Sequence, residues 1–136
     1  MKKITPLITV DAIEPCLSFW NGLGFEVTAQ VPHDDALGFA MLTHGDLVLM
    51  YQSQASVQAD LGESGAPDGM AEEMARSTVT LFIEVDDLDD VIDAMEGYDV
   101  LVPRRQTFYG MDEIFVRAPC GTVVGFAART GEDEGN

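Results

Sequence analysis

The sequence predicts an α+β fold of two tandem βαβββ modules, and three observations support this prediction. The stretch "ITVDAIEPCLSFWNGLGFEV" (8–27) recurs in altered form as "IEVDDLDDVIDAMEGYDV" (83–100). The apolar pair of segments "FAMLTHGDLVLM" (39–50) likewise recurs as "IFVRAPCGTVVGF" (114–126) when Gly45 is set on Gly121. Within both copies, period-2 and helix-period apolar patterns follow each other in the same order. An internal repeat of this kind fixes the architecture before any motif is considered.

The first module is expected at about 4–52. Its opening strand ends at Val10-Asp11, and the following "AIEPCLSFWNGLG" places Leu17, Phe19 and Trp20 on one helical stripe. A glycine closes this helix, and the hairpin around Gly45 completes the module.

The segment 53–76 is predicted to be a linker or a lid between the modules, because it is rich in Gly, Ser and Ala. Its last part, "MAEEMAR", favours a short helix flanked by Met70 and Met74. A plain connecting helix is one interpretation of this segment. A lid or partner contact is the other, since methionines adapt readily to a binding surface.

The second module is expected at about 77–129, followed by an acidic tail at 130–136. In "TVTLFIEVDD", Leu81 and Ile83 alternate with Phe82 and Glu84, which is typical of a strand with a core face and a mixed face. In "DDLDDVIDAMEG" the apolar residues have helical spacing, acidic residues occupy the first turn and a glycine ends the helix. The chain therefore predicts one domain of 136 residues built from two similar halves.

Composition narrows the class of protein. The net charge is −17, with 24 acidic against 7 basic side chains, so nucleic acid is not expected as a partner. The acidic field instead favours solubility, adaptation to a salty interior, or attraction of cationic ligands. Neither a membrane span nor a signal peptide is expected. The two cysteines, Cys16 and Cys120, lie far apart without a CxxC motif, so no disulfide framework is implied and a reducing cytoplasm is predicted.

The chain resembles the vicinal oxygen chelate superfamily, which includes glyoxalases, bleomycin-resistance proteins and extradiol dioxygenases. The resemblance rests on "VDAIEPCLSFWNGLGFEV", on "VDDLDDVIDAM" and on the closing "YGMDEIFVRAPCGTVVGFA". It covers about 4–129 and implies two βαβββ modules forming a curved sheet around a cleft, usually in a homodimer. Since many activities share this scaffold, the resemblance specifies fold more than function.

Enzymes of this superfamily hold a divalent metal with His or Glu side chains from the first and last strands of each module. By the resemblance, the corresponding positions here are Thr5, Leu49, Thr80 and Gly125. None offers the imidazole or carboxylate that such a metal requires. No metal and no cofactor is therefore expected.

Strand alternation from these positions predicts the face that lines the cleft. This predicted face contains Thr5, Leu7, Thr9, Leu47, Leu49, Tyr51, Thr80, Phe82, Glu84, Val123, Gly125 and Ala127. It is apolar, with aromatic walls and one carboxylate, as in many small-molecule sites. The predicted ligand-binding residues are Leu49, Tyr51, Phe82, Glu84 and, from a loop bordering the cleft, Tyr109. Arg117 is expected to pair with Glu113 on the same strand or with a ligand carboxylate.

The leading functional interpretation is a metal-independent, dimeric small-molecule-binding protein similar to bleomycin-resistance proteins. It would enclose a cationic aromatic antibiotic or metabolite, with no catalytic residue. One alternative is a metal-free lyase or isomerase that uses Glu84 as general base. A metal-dependent glyoxalase or dioxygenase follows if the ligand positions are shifted in register, and a protein-interaction module with a vestigial cleft is the remaining alternative.

Overall fold

The structure is a computed structural model that describes residues 3–62, 64, 66–76, 79–107 and 110–130. The chain divides into two compact units, Met1–Ser77 and Thr78–Asn136. The first unit contains β1 (Leu7–Val10), α1 (Glu14–Gly22), β2 (Glu26–His33), β3 (Ala36–His44), β4 (Leu47–Ser53), α2 (Gln54–Leu61) and α3 (Met70–Ala75). The second contains β5 (Thr80–Glu84), α4 (Leu88–Ala94), β6 (Asp99–Gln106), β7 (Met111–Arg117) and β8 (Val123–Arg129).

The first unit is a four-stranded mixed sheet in the order β1-β4-β3-β2. β1 runs parallel to β4, and the other neighbours are antiparallel. One face of the sheet packs against α1, whose Phe19 and Trp20 are fully buried. The Trp20 indole Nε1–H donates to the Tyr51 hydroxyl of β4 at 2.8 Å, which joins the helix to the centre of the sheet. Removing the apolar face of α1 from water is the main stabilising term here.

The segment between the modules forms two short helices that pack on the first unit. The Ser53 hydroxyl accepts from the Ser56 backbone N–H at 3.1 Å and so caps the start of α2. α3 lies against β1 and α2, and its Ala71 is buried while Met70 stays partly exposed. A lid or partner contact for this helix remains a prediction.

The second unit repeats the topology of the first. Its sheet has the order β5-β8-β7-β6, with β5 parallel to β8. α4 covers one face through buried Leu88 and Val91, and Met95, which follows the helix, is also buried. The Asp87 carboxylate accepts from the Asp89 N–H at 2.9 Å at the start of the helix. The predicted α+β class and the strand-helix-strand-strand-strand repeat are confirmed.

A carboxylate in the first turn of α1 connects this helix to the sheet. Glu14 Oε2 accepts from the Leu37 backbone N–H of β3 at 2.7 Å. This hydrogen bond, followed by that from the backbone N–H of Glu14 itself, holds the pKa of the Glu14 carboxyl below its ordinary value. A group with a lowered folded-state pKa stabilises the protein above its unfolded pKa, and the stabilisation is lost as pH falls through the folded pKa.

We therefore expect Glu14→Gln to flatten the acid limb of the stability curve. The amide still accepts from Leu37 N–H but cannot titrate, so the difference in unfolding free energy between wild type and variant should shrink below pH 4.5, the ordinary pKa. Because Glu14 is exposed, screening by water should hold the effect below about 1 kcal/mol. Urea unfolding of both proteins at several pH values measures it. A difference that does not change with pH would contradict the assignment.

Neither Cys16 nor Cys120 is a free thiol. The sequence implied no disulfide, and this expectation is wrong, because both cysteines are disulfide-bonded. The cysteines consequently give no support to a reducing compartment. Among the residues that the structure describes, no helix is long and apolar enough to cross a membrane.

Candidate functional site

The face of the second unit's sheet opposite α4 carries the candidate site; its β5 edge is exposed, whereas Gly125, Ala127 and Glu113 on the same face are buried. Along β5, Thr80, Phe82 and Glu84 are exposed and alternate with half-buried Leu81 and Ile83, which confirms the alternation predicted for this strand. The register sets Phe82 beside Gly125 and Gly125 beside Phe115. Two residues further along β5, Glu84 lies beside Ala127, and Ala127 lies beside Glu113.

The aromatic row consists of Phe82 and Phe115, with Gly125 between them. Phe82 is 54% exposed, and its ring centroid lies 6.2 Å from that of Phe115. A Cβ on Gly125 would come within 2.5 Å of Phe115 Cε2, so the ring occupies the space that any side chain at this position would need. The Phe115 ring thus packs over Gly125, which stands at the position where the resemblance expects a metal ligand.

A charged row flanks the aromatic one, and it consists of Glu84, Ala127, Glu113 and Arg105. Glu113 of β7 is buried, with 1% of its side chain exposed, and pairs with Arg105 of β6 at 2.9 Å. The prediction that Arg117 pairs with Glu113 is wrong, because four residues along a strand span about 13 Å. Arg117 instead lies 3.7 Å from Asp99. Glu84, at the other end of the row, is exposed.

In the first unit the predicted face is wrong for Leu49 and Tyr51. Both lie on the side packed against α1, where Tyr51 is fully buried and bonded to Trp20. The register sets Leu7 beside Met50, just as Phe82 lies beside Gly125. Met50 is therefore the counterpart of Gly125.

Unequal turns caused this error. Gly45 and Asp46 alone separate the strands paired at His44 and Leu47, whereas Ala118–Thr122 separate those paired at Arg117 and Val123. Setting the two turn glycines on each other therefore displaces β4 by one residue, which moves every side chain to the opposite face. Ligand binding by Leu49 or Tyr51 loses its basis, because neither reaches the exposed face.

The residues at the metal-ligand positions do not fit a divalent metal, even after the register is corrected. Thr5, Met50, Thr80 and Gly125 offer hydroxyls, a thioether and a hydrogen, whereas such a metal prefers imidazole and carboxylate donors. In the described part of the chain, no three His, Cys, Asp or Glu side chains are grouped closely enough to hold a metal ion.

Sequence reasoning missed three residues of this face: Phe115, Arg105 and Glu113. Extending the alternation of β8 across the hairpin would have found Phe115 and Glu113 on the face of Gly125. Arg105 was harder to place, because the β6–β7 pairing contains register shifts. Tyr109, predicted to border the site, and its neighbour Phe108 lie outside the described residues.

Comparison with known proteins gives the family. Residues 4–126 match the model of the Glyoxalase/Bleomycin resistance protein/Dioxygenase superfamily. TioX from Micromonospora sp. ML1 is similar in structure, with a TM-score of 0.70, 15% identity, and coverage of 95% of this chain and 99% of that chain. A glyoxalase/bleomycin resistance protein/dioxygenase from Nocardioides has a TM-score of 0.68 at 17% identity, covering 93% and 82% of the two chains.

The bleomycin resistance determinant encoded on the transposon Tn5 has a TM-score of 0.59 at 18% identity, covering 95% of this chain and 98% of that chain. Likenesses at this identity concern the fold. No curated protein matches the chain. The extent of the family match identifies the chain as a member of the glyoxalase/bleomycin resistance protein/dioxygenase superfamily.

Proposed function

We propose that this protein binds a small aromatic molecule at the exposed β5 edge of this face of its second unit, without a metal. The observation that carries the proposal is the Phe115 ring seated over Gly125, next to the exposed Phe82. In place of a ligating carboxylate, the position presents an aromatic surface on which a planar ligand can stack. A contiguous apolar patch rimmed by polar residues is typical of a binding surface.

Charge favours a ligand with a cationic group. Glu84 is exposed two residues from Phe82 on the same face of β5, and the chain carries a net charge of −17. A cation above the aromatic row gains from the ring faces and from this carboxylate together. A cationic aromatic antibiotic or metabolite is the ligand class that we propose, in keeping with the bleomycin resistance determinant among the structural neighbours. Because Glu84 is exposed, it suits pairing with a cation. A general base would instead need a desolvated environment.

Two isosteric probes test the proposal: the cation N-methylquinolinium and the neutral 1-methylnaphthalene. We expect Phe82→Ala to weaken both by about fivefold to tenfold, since both lose a stacking surface. Glu84→Gln should weaken only the cation, by about twofold to fivefold. Chemical-shift titration measures each Kd, and Val79→Ala provides an exposed apolar control outside the rows. Equal binding by wild type and Phe82→Ala would contradict the aromatic site.

Metal independence has its own measurement. Protein purified without chelator should hold far less than one divalent metal per chain, because the corresponding positions lack suitable donors. Elemental analysis, followed by titration with Mn²⁺, Fe²⁺ and Zn²⁺, gives the stoichiometry. Tight one-to-one binding would require a metal site elsewhere on the chain and would favour a metalloenzyme.

We also expect a homodimer, because members of this superfamily often dimerise. Light scattering after size-exclusion chromatography should then give twice the chain mass of 14.7 kDa. The cytoplasmic location expected from the sequence stays a prediction. One of its supports is removed because neither cysteine is free.

A further inference from the structure

A cationic guanidinium lies on the same face as the proposed aromatic site. The register places Arg105 beside Glu113, two residues from Phe115 along β7. Residues two apart on a strand are separated by about 7 Å on one face. The Arg105 side chain, which pairs with Glu113, therefore lies next to the aromatic row.

The Arg105–Glu113 pair leaves part of the guanidinium available. Both Nε and Nη2 donate to the same carboxylate oxygen, Glu113 Oε2, at 3.1 and 2.9 Å. The Arg105 side chain remains 56% exposed, and in the described part of the chain its Nη1 has no protein acceptor. Because a guanidinium has five N–H donors in a planar fork, this outer edge can still bind a carboxylate or similar anion.

Glu84 lies at the opposite end of the same row. β5 is separated from β7 by β8, so Glu84 and Glu113 are about 10 Å apart, two strand spacings, and Arg105 approaches Glu113 from the next strand, β6. The aromatic row runs parallel to the line from Glu84 to Glu113, about 7 Å away along the strands. A purely anionic ligand is repelled by the net charge of −17. A ligand with a cation at one end and an anion at the other satisfies both sites.

We propose that Arg105 is a specificity-determining residue that selects a zwitterionic aromatic ligand, with its anion at Arg105 and its cation at Glu84. The inference rests on the proposed aromatic binding function. The ligand class is a compound with opposite charges about 10 Å apart and an aromatic group between them, the dimensions of an extended tripeptide with free termini.

The tripeptide Gly-Trp-Gly and its three capped forms test this proposal as probes. We expect C-terminal amidation to weaken binding by about threefold to tenfold, because it removes the anion that Arg105 holds. N-terminal acetylation should weaken binding by a similar factor through Glu84. In Arg105→Gln/Glu113→Gln, which removes both charges of the pair and leaves no buried carboxylate without its cation, amidation should have no effect while acetylation keeps its effect.

The doubly capped peptide separates failure of this inference from failure of the proposed function. If this peptide binds wild type and binds Phe82→Ala more weakly, the aromatic site is supported independently of any effect of capping the termini. Insensitivity to amidation in wild type, or the same sensitivity in the double variant, would overturn the role of Arg105. Absence of binding by all four peptides would overturn the zwitterionic class, and the quinolinium titration would then decide the aromatic site by itself.

Discussion

Replacing Gly125 by valine is expected to lower the free energy of unfolding by about 1–3 kcal/mol, the cost of overpacking. A Cβ at this position would lie within 2.5 Å of the Phe115 ring, so the ring must leave its seat and its contact with Phe82. β-propensity acts in the opposite direction, because valine is preferred to glycine in strands by up to about 1 kcal/mol. Crowding is expected to outweigh propensity.

The Phe115→Ala background reverses the expected sign. Removing the ring removes the three atoms nearest to the added Cβ, so Gly125→Val should then stabilise the protein by up to about 1 kcal/mol through β-propensity. Chemical denaturation of the four proteins completes a double-mutant cycle, and the coupling energy reports the ring-to-glycine contact. If Gly125→Val destabilises both backgrounds equally, the glycine is needed for a reason other than its contact with the Phe115 ring. The binding consequence is separate: displacement of the ring in the single variant should weaken N-methylquinolinium binding.

Periodicity predicted the fold well because each βαβββ module carries its own pattern. The strand around Leu81 and Ile83 alternates cleanly, and the helix with Leu88 and Val91 follows at helical spacing. These signals depend on residues near each other in sequence, where burial of one face leaves a direct trace. The repeat then gave the same order of elements, strand-helix-strand-strand-strand, for both halves, since similar patterns imply similar topology.

The face that carries the candidate site was predictable only where the register could be deduced. β5 lies beside β8 with Phe82 opposite Gly125, and here alternation from the sequence reached the correct face. β4 failed because the length of one turn decides the face of a whole strand, and turn length is not visible in an apolar pattern. Arg105 escaped detection for a related reason: the irregular pairing of β6 hides which of its side chains share a face with β7.

Tyr51→Ala is expected to lower the free energy of unfolding by about 3–5 kcal/mol, as for other large buried aromatic side chains. Tyr51 is fully buried, and its hydroxyl accepts the Trp20 indole N–H at 2.8 Å. The milder Tyr51→Phe keeps the ring but leaves that buried N–H without this acceptor, which costs about 1–3 kcal/mol. Urea unfolding gives both values.

Met50→Ala is the matched control, because Met50 is the adjacent residue on the opposite face and is only half-buried. Its cost should stay well below that of Tyr51→Ala, since a half-exposed side chain loses less apolar burial on truncation. The sequence alone places Tyr51 on the face that lines the ligand site, and alternation then turns Met50 to the opposite face, which would reverse this order. A Tyr51→Ala variant as stable as Met50→Ala would restore the sequence-based register and return Leu49 and Tyr51 to the exposed face. The expected order would instead place Tyr51 in the contact between α1 and the sheet. The proposed ligand site would then consist of the Phe82–Phe115 row without Tyr51.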